Sequence, residues 1–410
     1  MENRIYYGQY SLKYWIELML SKNIICPPYQ RRFVWKQSDV QNFIENIKKD
    51  DLFVPPITIG VVKTNSATDS GSNPQKYNYI IDGQQRLTSI LLTYFRVLPK
   101  PVKEFRDESS IEDDEEKKIE DKDVINKWQF NQLLDLSPDI NKIREEALKT
   151  GKYKEFEIEE INDDFFSNHF MGFSYIVPDS NKEEEQTKYF SQLFNTLNAQ
   201  GTPLTPRESR YALYFINTKL EKWFNPEVCK NIIIYPNSTR STSIDFVRYI
   251  SIITDYVKRY RKNDVLRSYD SRSGADGKLK TYEEYYRKYI YSVVDNSDDD
   301  VFGNFKETIG NEYEELLNTL STTITQMDLV NQHKFDSIVD SDFYFFGLVY
   351  YVIFKRKNID IIKAQQLTNS LNRKITKYKS ELKGKNVITV ENIRTRIKQS
   401  INIYSRYISK

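Results

Sequence analysis

The residues with the clearest chemical potential lie in the run YNYIIDGQQRLTSILLTYF, in the first quarter of the chain. Asp82, Gly83, Gln84, Gln85 and Arg86 stand between an apolar strand pattern and an amphipathic helix pattern. The first turn of a helix offers unpaired backbone N–H groups and the positive end of its dipole, and arginine adds a planar donor fork. The pattern predicts a polyphosphate-binding joint between a strand and a helix.

The same joint has a purely structural interpretation. Asp82, followed three residues later by Gln85, fits a capping box that would only start the helix. A cap does not explain Gln84 and Arg86, but the Walker sequence is absent and one glycine turn is a weak signal, so both interpretations stay open. The residues of this helix predicted to face the core are Leu87, Ile90, Leu91 and Tyr94.

A second polar and aromatic cluster lies upstream in CPPYQRRFVW. Its two prolines favour an extended backbone, from which Tyr29, Gln30, Arg31, Arg32 and Trp35 are predicted to project. Arginine beside tyrosine and tryptophan suits stacking on a base or binding a phosphate. The alternative is an N-terminal strand with an ordinary basic rim.

The elements that must position these clusters follow from periodicity. The run SDVQNFIENI predicts a helix capped by Ser38, and VPPITIGVV and YNYII predict two strands joined by a hairpin-like excursion. A further strand is expected at residues 171–177.

Two helices are expected after that strand. The first begins at Glu183 and ends at Gly201. The run TPRE predicts the second, with Thr205 as N-cap and Pro206 at the first helical position, continuing to about Phe224. The rest of the chain has mainly helical patterns.

The 410 residues therefore predict an α+β protein of two domains, residues 1–180 and a mainly α-helical domain at residues 181–410. Residues 103–123 contain eleven acids and five bases, which predicts a mobile acidic insertion in the first domain. Residues 351–410 hold fifteen Lys and Arg against three Asp and Glu, a local charge of +12. That basic segment either faces phosphates or is a solvated helical surface.

Several classes of protein are disfavoured. The most apolar run, residues 343–354, has twelve residues, too few to span a bilayer and suited to a buried helix. The chain does not open with a signal peptide pattern. Cys26 and Cys229 give neither a disulfide framework nor metal-ligand spacing, which fits a cytoplasmic location without membrane association.

Three motifs in order, PPYQRRFVW, IDGQQRLTSI and FNTLNAQGTPLTPRE, resemble the N-terminal domain family of GmrSD-type modification-dependent restriction enzymes. They span about residues 24–215, roughly half of the chain. The resemblance implies a ParB/sulfiredoxin-like fold for the first domain. It also implies an NTP-binding, NTP-hydrolysing module that handles DNA in defence against phage, with a possible homo-oligomeric state.

The resemblance implies site residues as well. Asp82, Gln84, Gln85 and Arg86 would be catalytic, and Asp82 would orient Mg²⁺ or water. The nucleotide of unspecified base would be bound by Gln30, Arg31, Gly83, Arg86, Thr88, Asn198 and Gly201.

The sequence departs from members of this family that carry an HNH-type nuclease domain. The chain has two histidines, His169 and His333, without nuclease-like spacing, and each has a structural interpretation. We therefore expect an NTPase that does not cut DNA alone, and a partner nuclease or effector. The alternatives are a non-enzymatic DNA-binding regulator that uses nucleotide only as a conformational ligand, and a scaffold whose joint is only a capped helix.

Overall fold

The computed structural model describes residues 3–27, 29–30, 32–49, 54–63, 76–100, 128–180, 182–198, 206–237, 240–259, 262–267, 281–330, 335–382 and 389–409. These residues form two compact units, the first within residues 1–204 and the second within residues 205–410. That these units correspond to separate domains at residues 1–180 and 181–410 stays a prediction. The acidic run 103–123 lies outside the described residues.

The first unit is built on a mixed sheet, as expected for an α+β protein. Its five strands lie in the order β1-β7-β3-β4-β2, and β5 pairs with β6 in a separate small sheet. The strands are β1 Arg4–Ser11, β2 Ile24–Ile25, β3 Ile57–Lys63, β4 Lys76–Asp82, β5 Val97–Pro99, β6 Tyr153–Glu155 and β7 Phe170–Val177.

The sheet topology explains how distant segments meet. β3 and β4 are antiparallel, as the sequence predicted, and β2 runs parallel to β4. Because parallel strands end at the same edge, the segment after Ile25 begins near the point where Asp82 ends β4. β3 starts at that edge too, with Thr58 opposite Asp82. Three chain segments therefore converge at the carboxyl end of β4.

Helices pack on this sheet through apolar faces that the periodicity predicted. The ring of Phe190 lies over Gly60 of β3, where any side chain would overlap it. The ring of Phe194, one turn further on, packs 5.5 Å from that of Tyr29 between centroids. The helices of the first unit are α1 Leu12–Leu20, α2 Gln37–Lys48, α3 Gln84–Phe95, α4 Asn131–Leu134, α5 Ile143–Lys149, α6 Asp163–Asn168 and α7 Glu183–Asn198.

The second unit is mainly helical, as predicted, with one two-stranded sheet of β8 Ile233–Asn237 and β9 Arg240–Ser243. Every residue of its helix Ile338–Val349 is buried, which confirms the predicted core helix for residues 343–349. The rest of the apolar run, Tyr350–Phe354, continues as a π-helix in which Val352 and Ile353 are buried. None of the helices in the described part of the chain is both long and apolar enough to cross a membrane. The helices are α8 Pro206–Tyr214, α9 Glu221–Phe224, α10 Glu227–Lys230, α11 Phe246–Lys258, α12 Tyr282–Val294, α13 Phe305–Thr308, α14 Tyr313–Gln326, α15 Ile338–Val349, α16 Ala364–Glu381 and α17 Val390–Tyr404.

Two predicted helix boundaries are wrong for local reasons. Lys36, not Ser38, caps α2, because the Asp39 carboxylate accepts a hydrogen bond from the Lys36 N–H at 2.8 Å. The helix that starts at Pro206 does not run unbroken to Phe224, because Asn217 leaves the helical region at φ −134° and ψ 99°. Its side-chain oxygen accepts a hydrogen bond from the backbone two residues on, an alternative to helical bonding that asparagine favours.

Candidate functional site at the end of strand β4

Gly83 forms the turn between β4 and α3. It is the N-cap of α3, with φ 95° and ψ 11°, a left-handed conformation that glycine adopts without steric cost. An added Cβ would also overlap the side chain of the buried Ile57. No side chain caps α3, so the predicted capping box of Asp82 and Gln85 is wrong.

Gln85 instead ties the upstream cluster to the helix. Its Nε2 donates to the Arg32 carbonyl at 2.8 Å, and its Oε1 accepts from the Val34 N–H at 2.9 Å. Both polar ends of the amide are therefore occupied by one backbone segment. This arrangement gives Gln85 a positioning role between the two predicted motifs.

Gln30 makes the matching connection to the strand. Its Nε2 donates to the carbonyls of Ile80 and Ile81, at 2.9 and 2.8 Å. Gln30 and Tyr29 are buried, so these two side chains project from the segment into the interior of the protein. Their side chains turn inward because several chain segments converge at this edge of the sheet. The Trp35 ring packs edge-on against that of Phe43, with 5.3 Å between the ring centroids.

Arg86 lies in the first turn of α3 and contacts the end of β4. Its Nη2 donates to Asp82 Oδ2 at 2.6 Å, and its Nη1 donates to the Pro55 carbonyl. The Arg86 side chain is 12% exposed, and that of Asp82 is 47% exposed. Burial lowers the pKa of Arg86, and the attraction of Asp82 offsets only part of that effect. The largely buried cation is thus incompletely compensated by the Asp82 carboxylate.

Gln84 and Thr88 are buried polar residues without a hydrogen-bond partner among the described contacts. Gln84 is 3% exposed, and neither its Oε1 nor its Nε2 has a partner. The Thr88 hydroxyl, one turn further along α3, is also unpartnered in a fully buried residue. A buried polar group left unpaired costs about 1–3 kcal/mol, so such groups call for a specific explanation. Two of them in the first turns of one helix fit a site that completes its hydrogen bonds with a ligand.

The third predicted motif reaches this edge through α7. Asn198 is the last residue of that helix, one turn beyond Phe194, which packs on Tyr29. The Asn198 side chain lies outside the described part, as do Arg31 and Gly201. The structure therefore places the backbone of the motif near the cluster, and the binding roles of these three residues stay predictions.

A magnesium ion fits this edge only with help from its ligand. Within the described residues no group of three His, Cys, Asp or Glu side chains is placed to hold a metal. Asp82 offers one half-exposed carboxylate, and Mg²⁺ is commonly bound by one or two carboxylates together with phosphate oxygens and water. The donor set therefore suits a metal that arrives with a polyphosphate.

The histidines and cysteines show contacts of ordinary packing where they are described. His169 Nδ1 lies 2.9 Å from the Phe165 carbonyl oxygen, and its ring packs on that of Phe165 at 4.4 Å. His333 lies outside the described residues. Cys26 and Cys229 are buried free thiols whose pKa values are raised by burial.

The basic C-terminal segment divides its charge between inside and outside. Arg396 is fully buried and bonds to Asp342 at 2.7 Å, and Lys379 pairs with Asp340 at 2.6 Å. Arg373 and Lys377, by contrast, are exposed on α16. Arg396 and Lys379 therefore belong to the fold of the second unit, whereas most of the described basic residues of this segment are exposed at its surface.

Sequence reasoning missed two residues that shape the joint, Pro55 and Ile57. The Pro55 carbonyl accepts from Arg86, and the end of the Ile57 side chain would overlap a Cβ at position 83. The available signal was the pair of prolines that directly precedes β3.

A groove of about 330 Å³ lies at the opposite end of α3. It borders Tyr94, which is 36% exposed, so the prediction that this residue faces the core is only partly met. Its two arginines already have carboxylate neighbours, Arg96 with Glu157 at 3.8 Å and Arg144 with Glu155 at 3.4 Å. Because the groove lies at the C-terminal end of α3, it is separate from the joint at Gly83, which lies at the N-terminal end.

Comparison with known proteins agrees with the motif pattern. Residues 16–215 match the family model of the GmrSD restriction endonuclease N-terminal domain. Neither the curated proteins nor the solved structures gave a match. The matched segment contains all of the sequence-predicted site residues and the described joint between β4 and α3. Over residues 16–215 this chain belongs to the family of GmrSD restriction endonuclease N-terminal domains.

Proposed function

We propose that this chain is an NTP-binding and NTP-hydrolysing component of a bacterial DNA restriction system that acts in the cytoplasm against phage. The nucleotide phosphates would bind at Gly83 and the first turn of α3. The family membership supports the restriction role and an interaction with DNA. We also propose that the mixed sheet of the first unit has a ParB/sulfiredoxin-like fold.

The observation that carries the nucleotide site is the buried Gln84 amide. Both of its polar atoms are unpartnered, beside a helix start whose N–H groups favour anions. Arg86, two residues further along the same first turn, supplies a guanidinium with incomplete compensation. A polyphosphate would satisfy all three features at once.

The residues divide into groups that bind and groups that position. Gly83 admits the ligand to the helix start, and Arg86 would hold phosphate oxygens through its planar fork. The Gln84 Nε2 and the Thr88 hydroxyl would donate to the bound phosphates, and the Gln84 Oε1 would accept from the attacking water. Gln85 and Gln30 hold the surrounding backbone in place. Asp82 is the residue that would hold Mg²⁺, which supplies charge neutralisation of the phosphates when bound.

The test is equilibrium binding and hydrolysis of ATP, GTP, CTP and UTP with Mg²⁺, each with and without modified and unmodified DNA. Arg86→Ala is expected to lower turnover by about a hundredfold or more, because it removes the main cationic contact to the phosphates. Arg144→Ala is the matched control, since this arginine lies away from the joint and pairs with an exposed carboxylate. Wild-type protein that neither binds nor turns over any of the four nucleotides would overturn the proposal.

A non-enzymatic DNA-binding regulator is the second candidate. It is favoured by Arg373 and Lys377, two exposed cations on one helix of the second unit. Their replacement by alanine would then reduce DNA binding, while Arg86→Ala would leave NTP turnover unaffected, because this candidate uses nucleotide only as a conformational ligand. A partner nuclease or effector would be required under either candidate.

A further inference from the structure

The ion pair between Asp82 and Arg86 has a geometry that goes beyond a phosphate-binding arginine. Both terminal nitrogens of the guanidinium are engaged, Nη2 with Asp82 at 2.6 Å and Nη1 with the Pro55 carbonyl. A phosphate that approaches this fork therefore meets a group of its own charge already bound there. The Asp82 carboxylate occupies the position beside Arg86 that a phosphate oxygen would take.

We propose that Asp82 acts as a built-in competitor, which excludes metal-free anions from Arg86 and yields the fork to a phosphate that arrives with a divalent cation. This inference rests on the proposed nucleotide site. It assigns to Asp82 a selective role in addition to holding metal.

The two partners differ in their freedom to move. Arg86 is 12% exposed and is fixed by the Pro55 carbonyl as well as by Asp82, whereas the Asp82 side chain is 47% exposed. The carboxylate can turn towards water while the guanidinium stays in place. Asp82 is therefore the partner that moves when the pair opens.

The charges explain why a metal is required. A free polyphosphate would have to displace the carboxylate and then lie beside it, so it would be repelled. A cation attached to the phosphate attracts the carboxylate and removes that repulsion. The Arg86 fork becomes available in the same event.

The test compares wild type with Asp82→Asn, which keeps a hydrogen-bond acceptor for Arg86 but removes the negative charge. Calorimetry measures inorganic tripolyphosphate binding in EDTA and Mg²⁺-nucleotide binding in the absence of EDTA. In EDTA the variant is expected to bind tripolyphosphate about tenfold tighter than wild type. With Mg²⁺-nucleotide the order reverses, because the variant lacks the metal-binding carboxylate.

Three controls keep the result specific. Asp135→Asn removes a carboxylate that pairs with Lys22 at 3.0 Å and is distant from Asp82 in the sequence. This variant should leave the affinities for tripolyphosphate and for Mg²⁺-nucleotide unchanged. The double variant Asp82→Asn with Arg86→Ala should lose the gain in tripolyphosphate binding. Asp82→Ser repeats the comparison if the asparagine variant does not fold.

The outcomes separate the two proposals. Equal tripolyphosphate affinity of wild type and Asp82→Asn in EDTA, with Mg²⁺-nucleotide still bound by wild type, overturns the competitor role and leaves the nucleotide site standing. Absence of any phosphate binding, with or without metal, overturns both. Opposite changes in the two conditions, lost in the double variant, establish the competitor role.

Discussion

A largely buried arginine of the first unit and a fully buried one of the second are compensated in different ways. Arg248 of the second unit contacts both oxygens of the fully buried Asp342, with Nε at 3.2 Å and Nη2 at 3.0 Å. Arg86 of the first unit contacts one oxygen of the half-exposed Asp82 and a neutral carbonyl. The first arrangement encloses the pair, and the second leaves the carboxylate in reach of solvent.

The two arrangements shift the pKa of the arginine in opposite directions. Burial tends to lower the pKa of both arginines. For Arg248 the interactions with Asp342, Tyr286 and Tyr249 together outweigh that effect and raise the pKa, whereas the pKa of Arg86 stays lowered. Both remain charged at neutral pH. The comparison teaches that burial of an arginine by itself does not mark a functional site. Incomplete compensation beside unpartnered polar groups is the more specific sign.

The largest expected effect is on the enclosed pair. Asp342→Ala leaves Arg248 and Arg396 buried without their shared carboxylate, so the free energy of unfolding should fall by about 3–5 kcal/mol. Urea denaturation measures this change. Asp135→Ala, which opens the exposed pair with Lys22, should have little effect. A loss for Asp342→Ala no larger than for this control would contradict the structural role of the enclosed pair.

The next effect concerns the turn at the joint. Gly83→Ala forces a φ of 95° on an L-residue and overlaps Ile57, so we expect a loss of about 1–3 kcal/mol together with loss of nucleotide binding. Gly151→Ala is the matched control, because Gly151 has a φ of 69° and open space around its missing Cβ. Thermal unfolding and nucleotide binding should be affected less in the control. Equal effects of both substitutions would show that backbone strain alone explains Gly83.

The smallest effect on stability is expected where polar groups lack partners. Gln84→Met keeps the shape of the side chain and removes two unpaired atoms, so stability should stay unchanged or rise by up to about 1 kcal/mol, while nucleotide affinity falls.

Tyr404→Phe provides the contrast for that variant. It removes a buried hydroxyl that donates to the Tyr344 carbonyl at 2.7 Å, and it should cost about 1 kcal/mol. Denaturation midpoints of both variants give the comparison. A destabilised Gln84→Met with unaltered nucleotide affinity would assign the amide to the fold.

Periodic patterns predicted the elements well because burial of one face is a property summed over many residues. Val40, Phe43, Ile44 and Ile47 share the buried face of α2, and the strand pair around Asp82 is antiparallel as expected. The predicted helix boundaries are wrong where a single hydrogen bond determines the residue at which the helix begins or ends. The break at Asn217 is such a case, since its side chain bonds to a nearby N–H that the periodicity does not reveal.

The sequence by itself determined that strand, glycine turn and polar helix start would form one joint, because these signals are local. It could not distinguish Gln84 from Gln85, which are adjacent and of the same type. Successive helical residues point about 100° apart, and only the tertiary structure decides what each side chain meets. Gln85 meets the backbone of the upstream segment, whereas Gln84 is buried with both polar atoms unpartnered. That difference arises from the parallel pairing of β2 with β4, a contact between residues more than fifty positions apart.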